Sequence, residues 1–456
     1  MMAQHLFRRP SSLSHNMKRV IILLSCLVPL FANSQEKISL NFSHAKTWEE
    51  LKREAIEANR PILIDAYATW CGPCKQMDDQ VFTDKEVINF INEHFIPIRI
   101  QMDRTERDSE YTKNWLKESE SIKHYITGYP CFLFFSPDGE FGGRELGYHE
   151  PDAFISLLKK AIDPEKSYYA LLQKYQAGAL TRDKLLTLAF LAEKNKDSIQ
   201  TKLAREYKTR YLDSLPLDLQ LRPSSRSFIE TFYYKVFRPS DPIVRKMYDA
   251  PSKTDSLIQF SPGTSKNIVD QLIAQHYIEP FTRSNKGLTE IEPHWNNILR
   301  NITSDFDINI AKRLILAAKS DWELDHERFE AFVKLEFEKI DRYGLDTSAM
   351  GRVFFNNMVF QVVFKKIDDS KLLRRAASLM KYLIDLDTHA SPSFLDTYAC
   401  ILYKSGNRKD ALAMERLAIE VANKIKDENE RNRRILYFNN VIKFMQQGRN
   451  IWEIDL

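Results

Sequence analysis

Short apolar runs broken by polar punctuation fill residues 36 to 162. Ile62 to Tyr67, Ile96 to Ile100 and Cys131 to Phe135 are rich in β-branched and aromatic residues, which predicts three strands. Ser136-Pro137-Asp138-Gly139 follows the third of them and reads as a hairpin turn. Helical spacing flanks these runs, over Thr47 to Asn59 before the first and over Pro151 to Ala161 after the last, where Phe154, Leu157, Leu158 and Ala161 share a face. Strands alternating with helices predict an α/β unit with a central mixed sheet, spanning residues 35–163, about 125 residues and a normal domain size.

From Asp163-Pro164 onward the strand signals fade, and residues 164–456 read as all helix. No proline occurs between Pro293 and Pro392, which permits long uninterrupted helices. Pro216 to Pro293 is punctuated by repeated prolines and predicts helices joined by longer loops. Near 366–424 the small residues Ala399, Gly406, Ala411 and Ala418, with Ala377 placed 34 residues before Ala411, resemble a degenerate tetratricopeptide-type helix pair. A helical bundle without repeats fits the same residues. Phe228, Phe232, Phe355, Phe360 and Phe364 are expected in helix-packing cores rather than around a ligand.

One apolar run follows neither period. Val20 to Ala32, preceded by Lys18-Arg19 and followed by Asn33-Ser34-Gln35, is too short to span a bilayer, which takes about 20 residues. It fits a signal peptide over residues 1–34, cleaved before Gln35, with Met17 as an alternative start. Export, and with it a periplasmic location, is the expectation. Leu23-Leu24-Ser25-Cys26 resembles a lipobox, although Leu24 is bulky for its place and the apolar run continues past Cys26, so a lipid at Cys26 is the lesser reading.

Composition narrows the chemistry. Lys and Arg number 66 against 62 Asp and Glu in 456 residues, a formal net charge of +4, so no electrostatic reason exists to expect nucleic acid. Removing the signal leaves Cys71, Cys74, Cys131 and Cys400, too few for a disulfide-stapled scaffold. The ten histidines show no metal-ligand spacing, and no phosphate loop or serine elbow occurs in a supporting context. Neither cofactor nor metal is expected.

Trp70-Cys71-Gly72-Pro73-Cys74-Lys75 follows a predicted strand and opens a helix. A thiolate there meets unpaired backbone N–H groups and the positive end of the helix dipole, which lowers its pKa. Cys71 is therefore expected to be the reactive thiol, with Cys74 one turn deeper and placed to attack the mixed disulfide that Cys71 forms. A structural disulfide closing so small a loop would contribute only about 2 kcal/mol, and a zinc site lacks a second ligand pair.

Pro61 to Lys75, with its Trp-Cys-Gly-Pro-Cys core, resembles the active-site segment of thioredoxins. The resemblance implies that Cys71 is the nucleophile, Cys74 the resolving thiol and Asp65 a buried carboxylate that helps to deprotonate Cys74. It also implies that Arg99 lies near Asp65, where the family usually has a Lys. Gly128-Tyr129-Pro130 resembles the loop whose cis-proline packs against the disulfide, so Tyr129 and Pro130, with Trp70, Gly72 and Pro73, are the expected substrate contacts. Gly147 matches the glycine after the final hairpin. Tyr111, Trp115 and Leu116 suggest a lengthened helix before that loop. Details around Trp48, Pro61 and Val81 to Asp84 resemble the exported branch that includes C-terminal domains of transmembrane disulfide reductases. Cys131 is either a third redox thiol or a small buried strand residue, and Cys400 is expected in a helix core.

The leading expectation is an exported thiol–disulfide oxidoreductase that reduces protein disulfides and is re-reduced by a membrane electron donor, with the helical region selecting substrates. The other reading is a helical interaction protein in which the redox domain is ancillary.

Overall fold

The structure, a computed structural model, describes residues 38–284, 287–288, 290–386 and 391–454. The expected signal peptide, Met17 and Cys26 lie outside the described residues. The chain divides into two compact units, the first ending at Leu203 and the second running from Ala204.

In the first unit the sheet has the order β2-β1-β3-β4, with β1 (Ile62–Tyr67), β2 (Ile96–Gln101), β3 (Cys131–Phe135) and β4 (Phe141–Leu146). β1 pairs in parallel with β2 and antiparallel with β3, and β3 forms a hairpin with β4. The sheet is thus mixed. β1 and β3 lie in the middle, and their near-continuous apolar runs are buried on both faces, as central strands covered by helices must be. The turn between β3 and β4 follows the expected Ser136 to Gly139 segment, where Gly139 N–H donates to Ser136 O (3.0 Å) and Gly139 takes φ +91°, a conformation glycine adopts without penalty.

Helices cover both faces. α1 (Trp48–Ala58) starts at Thr47, whose hydroxyl accepts from Glu50 N–H, and stops at Asn59 in the left-handed conformation, matching the polar residues that bound its apolar pattern. α2 (Gly72–Gln76) runs on as one wide π-type turn over Met77–Val81. α3 (Lys85–His94) is capped by the Asp84 carboxylate. α4 (Glu110–Glu118) is the lengthened segment, anchored by fully buried Trp115, whose Nε1 donates to Ala45 O (2.9 Å). α5 (Pro151–Ile162) closes the layer with Phe154 and Leu158 buried.

The first unit continues through α6 (Tyr168–Gln176) and α7 (Arg182–Lys194). Tyr168 packs its ring edge against Phe141 of β4 at 6.2 Å, and Asn195 Oδ1 accepts from Arg144 N–H (3.1 Å).

Among its described residues the second unit is mainly helical, with one exception to the all-helix expectation. Arg283–Ser284 and Gly287–Leu288 form a two-residue antiparallel ladder, too short for a periodicity signal. The prolines after Pro216 serve largely as first-turn residues, at Pro242 and Pro251, where the missing N–H costs nothing. In the proline-free stretch the breaks come from caps. Asp307, Ser348 and Asp369 each accept backbone N–H groups at a helix start. Phe228, Phe232, Phe355 and Phe364 are buried and Phe360 partly so. The helices Pro392–Lys404 and Arg408–Ala422 form an antiparallel pair around fully buried Ala399, Ala411 and Ala418, turning at Gly406 with φ +88°. No helix among the described residues is long and apolar enough to cross a membrane.

Candidate active site

β1 ends at Tyr67, and the chain turns through Ala68, Thr69 and Trp70 before α2 begins. Thr69 N–H donates to Asp103 Oδ1 (2.9 Å), and the Thr69 hydroxyl bonds the other oxygen of that carboxylate. Cys71 is the N-cap residue of α2. Its Sγ accepts from Cys74 N–H (3.1 Å), so the sulfur already holds one of the helix's unpaired donors. Pro73 sits in the first turn, where its ring pre-sets the helical φ.

Cys71 and Cys74 are joined by a disulfide with Cα atoms 5.3 Å apart. Each residue is only 3% exposed, while Trp70 is 70% exposed and Gly72 and Pro73 stand in solvent. Accessible area therefore does not distinguish the two sulfurs; position relative to the helix terminus does. Gly72 has open space where a Cβ would project.

The Gly128-Tyr129-Pro130 loop stands against this disulfide. The Tyr129–Pro130 peptide bond is cis, and Pro130 O accepts from Gly147 N–H (2.9 Å). Tyr129 packs with Tyr67 against Ala68, Cys71 and Cys74, and its ring meets Trp70 edge-on at 5.8 Å. The expected substrate contacts Trp70, Gly72, Pro73, Tyr129 and Pro130 are thus gathered around one disulfide.

Asp65 lies on β1 in register with Arg99 of β2. The carboxylate is buried, its Oδ2 is 3.1 Å from Arg99 Nε, and its Oδ1 has no hydrogen-bond partner. Arg99 also grips Asp78, through Nη1 to Oδ1 (2.7 Å) and Nη2 to Oδ2 (2.9 Å), and lies 4.2 Å above the Tyr67 ring. Burial pushes the Asp65 carboxyl from 3.8 up to about 7, against the pull of Arg99. Such a group exchanges its proton near neutral pH.

Cys131 opens β3 directly after Pro130 and is fully buried with a free thiol. Burial pushes that thiol up to about 12, although Arg144 pulls the other way. A thiol held so high forms almost no thiolate at neutral pH, and the thiolate is the reactive form.

Three contributors carry no local motif. Asp78 sits one turn beyond Cys74 and shares Arg99 with Asp65. Asp103 ties the end of β2 to Thr69. Arg144 of β4 is 6% exposed and donates from Nη1 to Tyr125 O (2.6 Å) and Thr127 Oγ1 (3.2 Å), and from Nε and Nη2 to Lys194 O (3.2 and 3.1 Å). It thereby links the segment leading into the Tyr129-Pro130 loop with the end of α7. Phe141 to Leu146 carries two glycines and two charged residues, so neither the fourth strand nor a role for Arg144 stands out in the sequence.

Chemically, two cysteines at a helix N-terminus can perform thiol–disulfide exchange, and Asp65, on the strand that leads into them, holds a carboxyl able to exchange a proton near neutral pH. A thioredoxin-like domain family model matches residues 48–162. The chain is 28% identical over 130 residues to the thiol:disulfide interchange protein DsbD of Escherichia coli strain K12, covering 28% of this chain and 21% of that protein. The DsbD of E. coli O6:H1 matches to the same extent. The chain thus spans about a fifth of the length of the curated relatives it matches. Among solved structures it is similar to the DsbH oxidoreductase, with 20% identity, a TM-score of 0.24, and coverage of 27% of this chain and 85% of that one. The oxidised DsbD C-terminal domain of Neisseria meningitidis is 23% identical, with a TM-score of 0.20 and coverage of 25% and 90%. Residues 48–162 are a thioredoxin-like domain, with the Cys71–Cys74 disulfide at the mouth of its second helix.

Proposed function

We propose that the protein is an exported thiol–disulfide oxidoreductase whose Cys71–Cys74 pair reduces disulfides in other proteins. The observation that carries this reading is the disulfide itself, set at the N-terminus of α2 against the Tyr129-Pro130 loop. The family match and the likeness to DsbD support it.

In the reduced protein the Cys71 thiolate attacks one sulfur of a substrate disulfide. A bond forms between Cys71 Sγ and that sulfur, and the other substrate sulfur leaves as a thiolate that takes a proton from water. Asp65 accepts the Cys74 proton, and the Cys74 thiolate attacks Cys71 Sγ. The second substrate sulfur is released, Cys71–Cys74 is oxidised, and two electrons have passed to the substrate. Tyr129, Pro130, Trp70, Gly72 and Pro73 hold the substrate chain. A dithiol donor on the membrane returns the two electrons. The compartment is the periplasm, and the mature chain begins at Gln35, in preference to a lipid at Cys26.

The helical region, tetratricopeptide-like near 366–424, selects the disulfide-bearing proteins. Met350, Val353 and Phe354 project from one helix with 63%, 44% and 66% of their surface exposed, which suits apolar stretches of a non-native chain.

Trapping tests this. Cys74→Ser should accumulate mixed disulfides between Cys71 and exported proteins, and deleting residues 204–456 should change which proteins are captured. Capture through Cys74 in a Cys71→Ser chain would reverse the assigned roles. An unchanged captured set would remove the helical region from substrate choice.

A further inference from the structure

The helix pair Pro392–Lys404 and Arg408–Ala422 holds three side chains that an apolar seam has no use for. Asp396 and Cys400 lie one turn apart on the first helix, and Glu415 faces them from the second. Cys400 and Glu415 are 0% exposed and Asp396 is 6% exposed. Cys400 Sγ is 3.8 Å from Asp396 Oδ1, and one donor atom from each of the three side chains lies within 4.8 Å of the other two.

Two carboxyl groups buried together cost several kcal/mol each unless a cation or hydrogen-bond donors compensate. Neither acid has a Lys or Arg ion-pair partner among the described residues. Arg434, on the helix packed beside them, is committed to Glu430 and Ser393, and Arg433 is exposed. No N–H or hydroxyl group donates to either oxygen of Glu415, whose carboxyl lies within hydrogen-bonding reach of the Asp396 carboxyl. Burial raises the pKa of all three groups, and for Glu415 and Cys400 the neighbouring Asp396 raises it further.

A second observation comes from outside the cluster. Asp396 lines a cleft of about 400 Å³ together with Asn356, Ser393, Thr397 and Tyr437. Asn356 is 7% exposed, and its Oδ1 also has no partner. Asn356, with an acceptor that has no donor, therefore lines the cleft that reaches Asp396, while the donorless oxygens of Glu415 lie in the buried seam within reach of Asp396. A bound cation supplies what such acceptors lack.

We infer that Asp396, Cys400 and Glu415 bind a divalent transition-metal cation of the zinc class, reached through this cleft. One thiolate with two carboxylates selects such an ion over magnesium or calcium, which take oxygen ligands. Tetrahedral bonds of about 2.0–2.3 Å place ligand atoms roughly 3.3–3.8 Å apart, so the three donors need only close slightly. The fourth position belongs to water from the cleft. Binding releases the thiol proton and any carboxyl proton to solvent, and the ion pins the two helices together.

The test uses the full chain with Cys71–Cys74 kept oxidised, so that this pair cannot take metal. After treatment with a chelator, the protein is titrated with Co²⁺ and then Zn²⁺. About one equivalent of Co²⁺ should bind with a thiolate-to-cobalt charge-transfer band in the near ultraviolet, and Zn²⁺ should bleach it. Cys400→Ser should lose the band, Glu415→Gln should weaken binding at least about tenfold, and Cys131→Ser should change neither. Saturable binding that fails to appear, or a band that survives Cys400→Ser, overturns the proposal. If Cys400→Ser does not fold, the native chain decides. Zn²⁺ should slow alkylation of Cys400 in mild denaturant, and an unchanged rate leaves a pair of acids that merely share a proton.

Discussion

Asp65 in the α/β unit and the pair Asp396 and Glu415 in the helical unit are all buried acids, yet their charge is settled differently. Asp65 gains Arg99 because parallel pairing sets β1 beside β2. Asp396 and Glu415 face each other across a helix pair that offers no Lys or Arg ion-pair partner among the described residues. The thiols divide in the same way. Cys71 caps a helix and accepts a backbone N–H, whereas burial pushes the Cys131 and Cys400 thiols up, and at Cys400 the neighbouring acids Asp396 and Glu415 push further. Residue type does not decide reactivity here; the donors and charges brought within a few ångströms do.

If a helix N-terminus rather than cysteine chemistry in general confers reactivity, Cys71→Ser should lower the rate of insulin disulfide reduction, with dithiothreitol as donor, by at least about a thousandfold, or 4 kcal/mol. A residual rate carried by Cys131 or Cys400 would break the contrast between the thiols.

The Asp65 comparison is sharpened by pH. Its folded-state carboxyl is raised from 3.8 to about 7, so its contribution to stability is complete below the unfolded value and is lost as pH rises through the folded one. Above that point the fold carries a buried carboxylate. Asp65→Asn should therefore gain stability relative to the native chain between pH 4 and pH 8, by at most about 4 kcal/mol. Urea unfolding of the α/β unit at the two pH values, with the disulfide intact, measures it. A flat difference would mean that Arg99 keeps Asp65 ionised throughout.

A third test asks where the first region ends. Residues 38–163 lack Tyr168, Lys194 and Asn195, on which Phe141 and Arg144 lean. A chain of residues 38–203 should be more stable than one of residues 38–163 by about 3 kcal/mol, the sum of lost hydrogen bonds to a buried guanidinium and lost aromatic contact. Equal unfolding midpoints would make α6 and α7 mere passengers.

The smallest effect belongs to Cys131→Ser, which should leave the reduction rate within about threefold, or 0.7 kcal/mol. A disulfide to Cys131 found in peptide mapping would place this thiol with Cys71 instead.

Much of the α/β unit was legible in the residues. Ile62 to Tyr67 and Cys131 to Phe135 announce strands because central strands are apolar along their whole length, and Ile96 to Ile100 does so at the sheet edge because isoleucine recurs at every second position. Thr47 and Asn59 mark a helix because caps are local chemistry. Cys71 and Cys74 are close in sequence, so their pairing and their place at a helix start could be read within one short window. Arg99 beside Asp65 came from the thioredoxin resemblance, not from spacing.

What tertiary structure alone decided concerns residues far apart along the chain. The pull of Asp78 on Arg99, the bond from Thr69 to Asp103 across 34 positions and the bonds from Arg144 to Lys194 across 50 depend on which elements pack together, and no periodicity records that. Cys400 was legible as a core residue because its helix face is apolar, but Glu415 reads as an ordinary solvent-facing acid. Only the antiparallel packing of two helices turned it inward against Asp396 and Cys400. Burial is a property of the pair of surfaces, and a single helix carries half of that information.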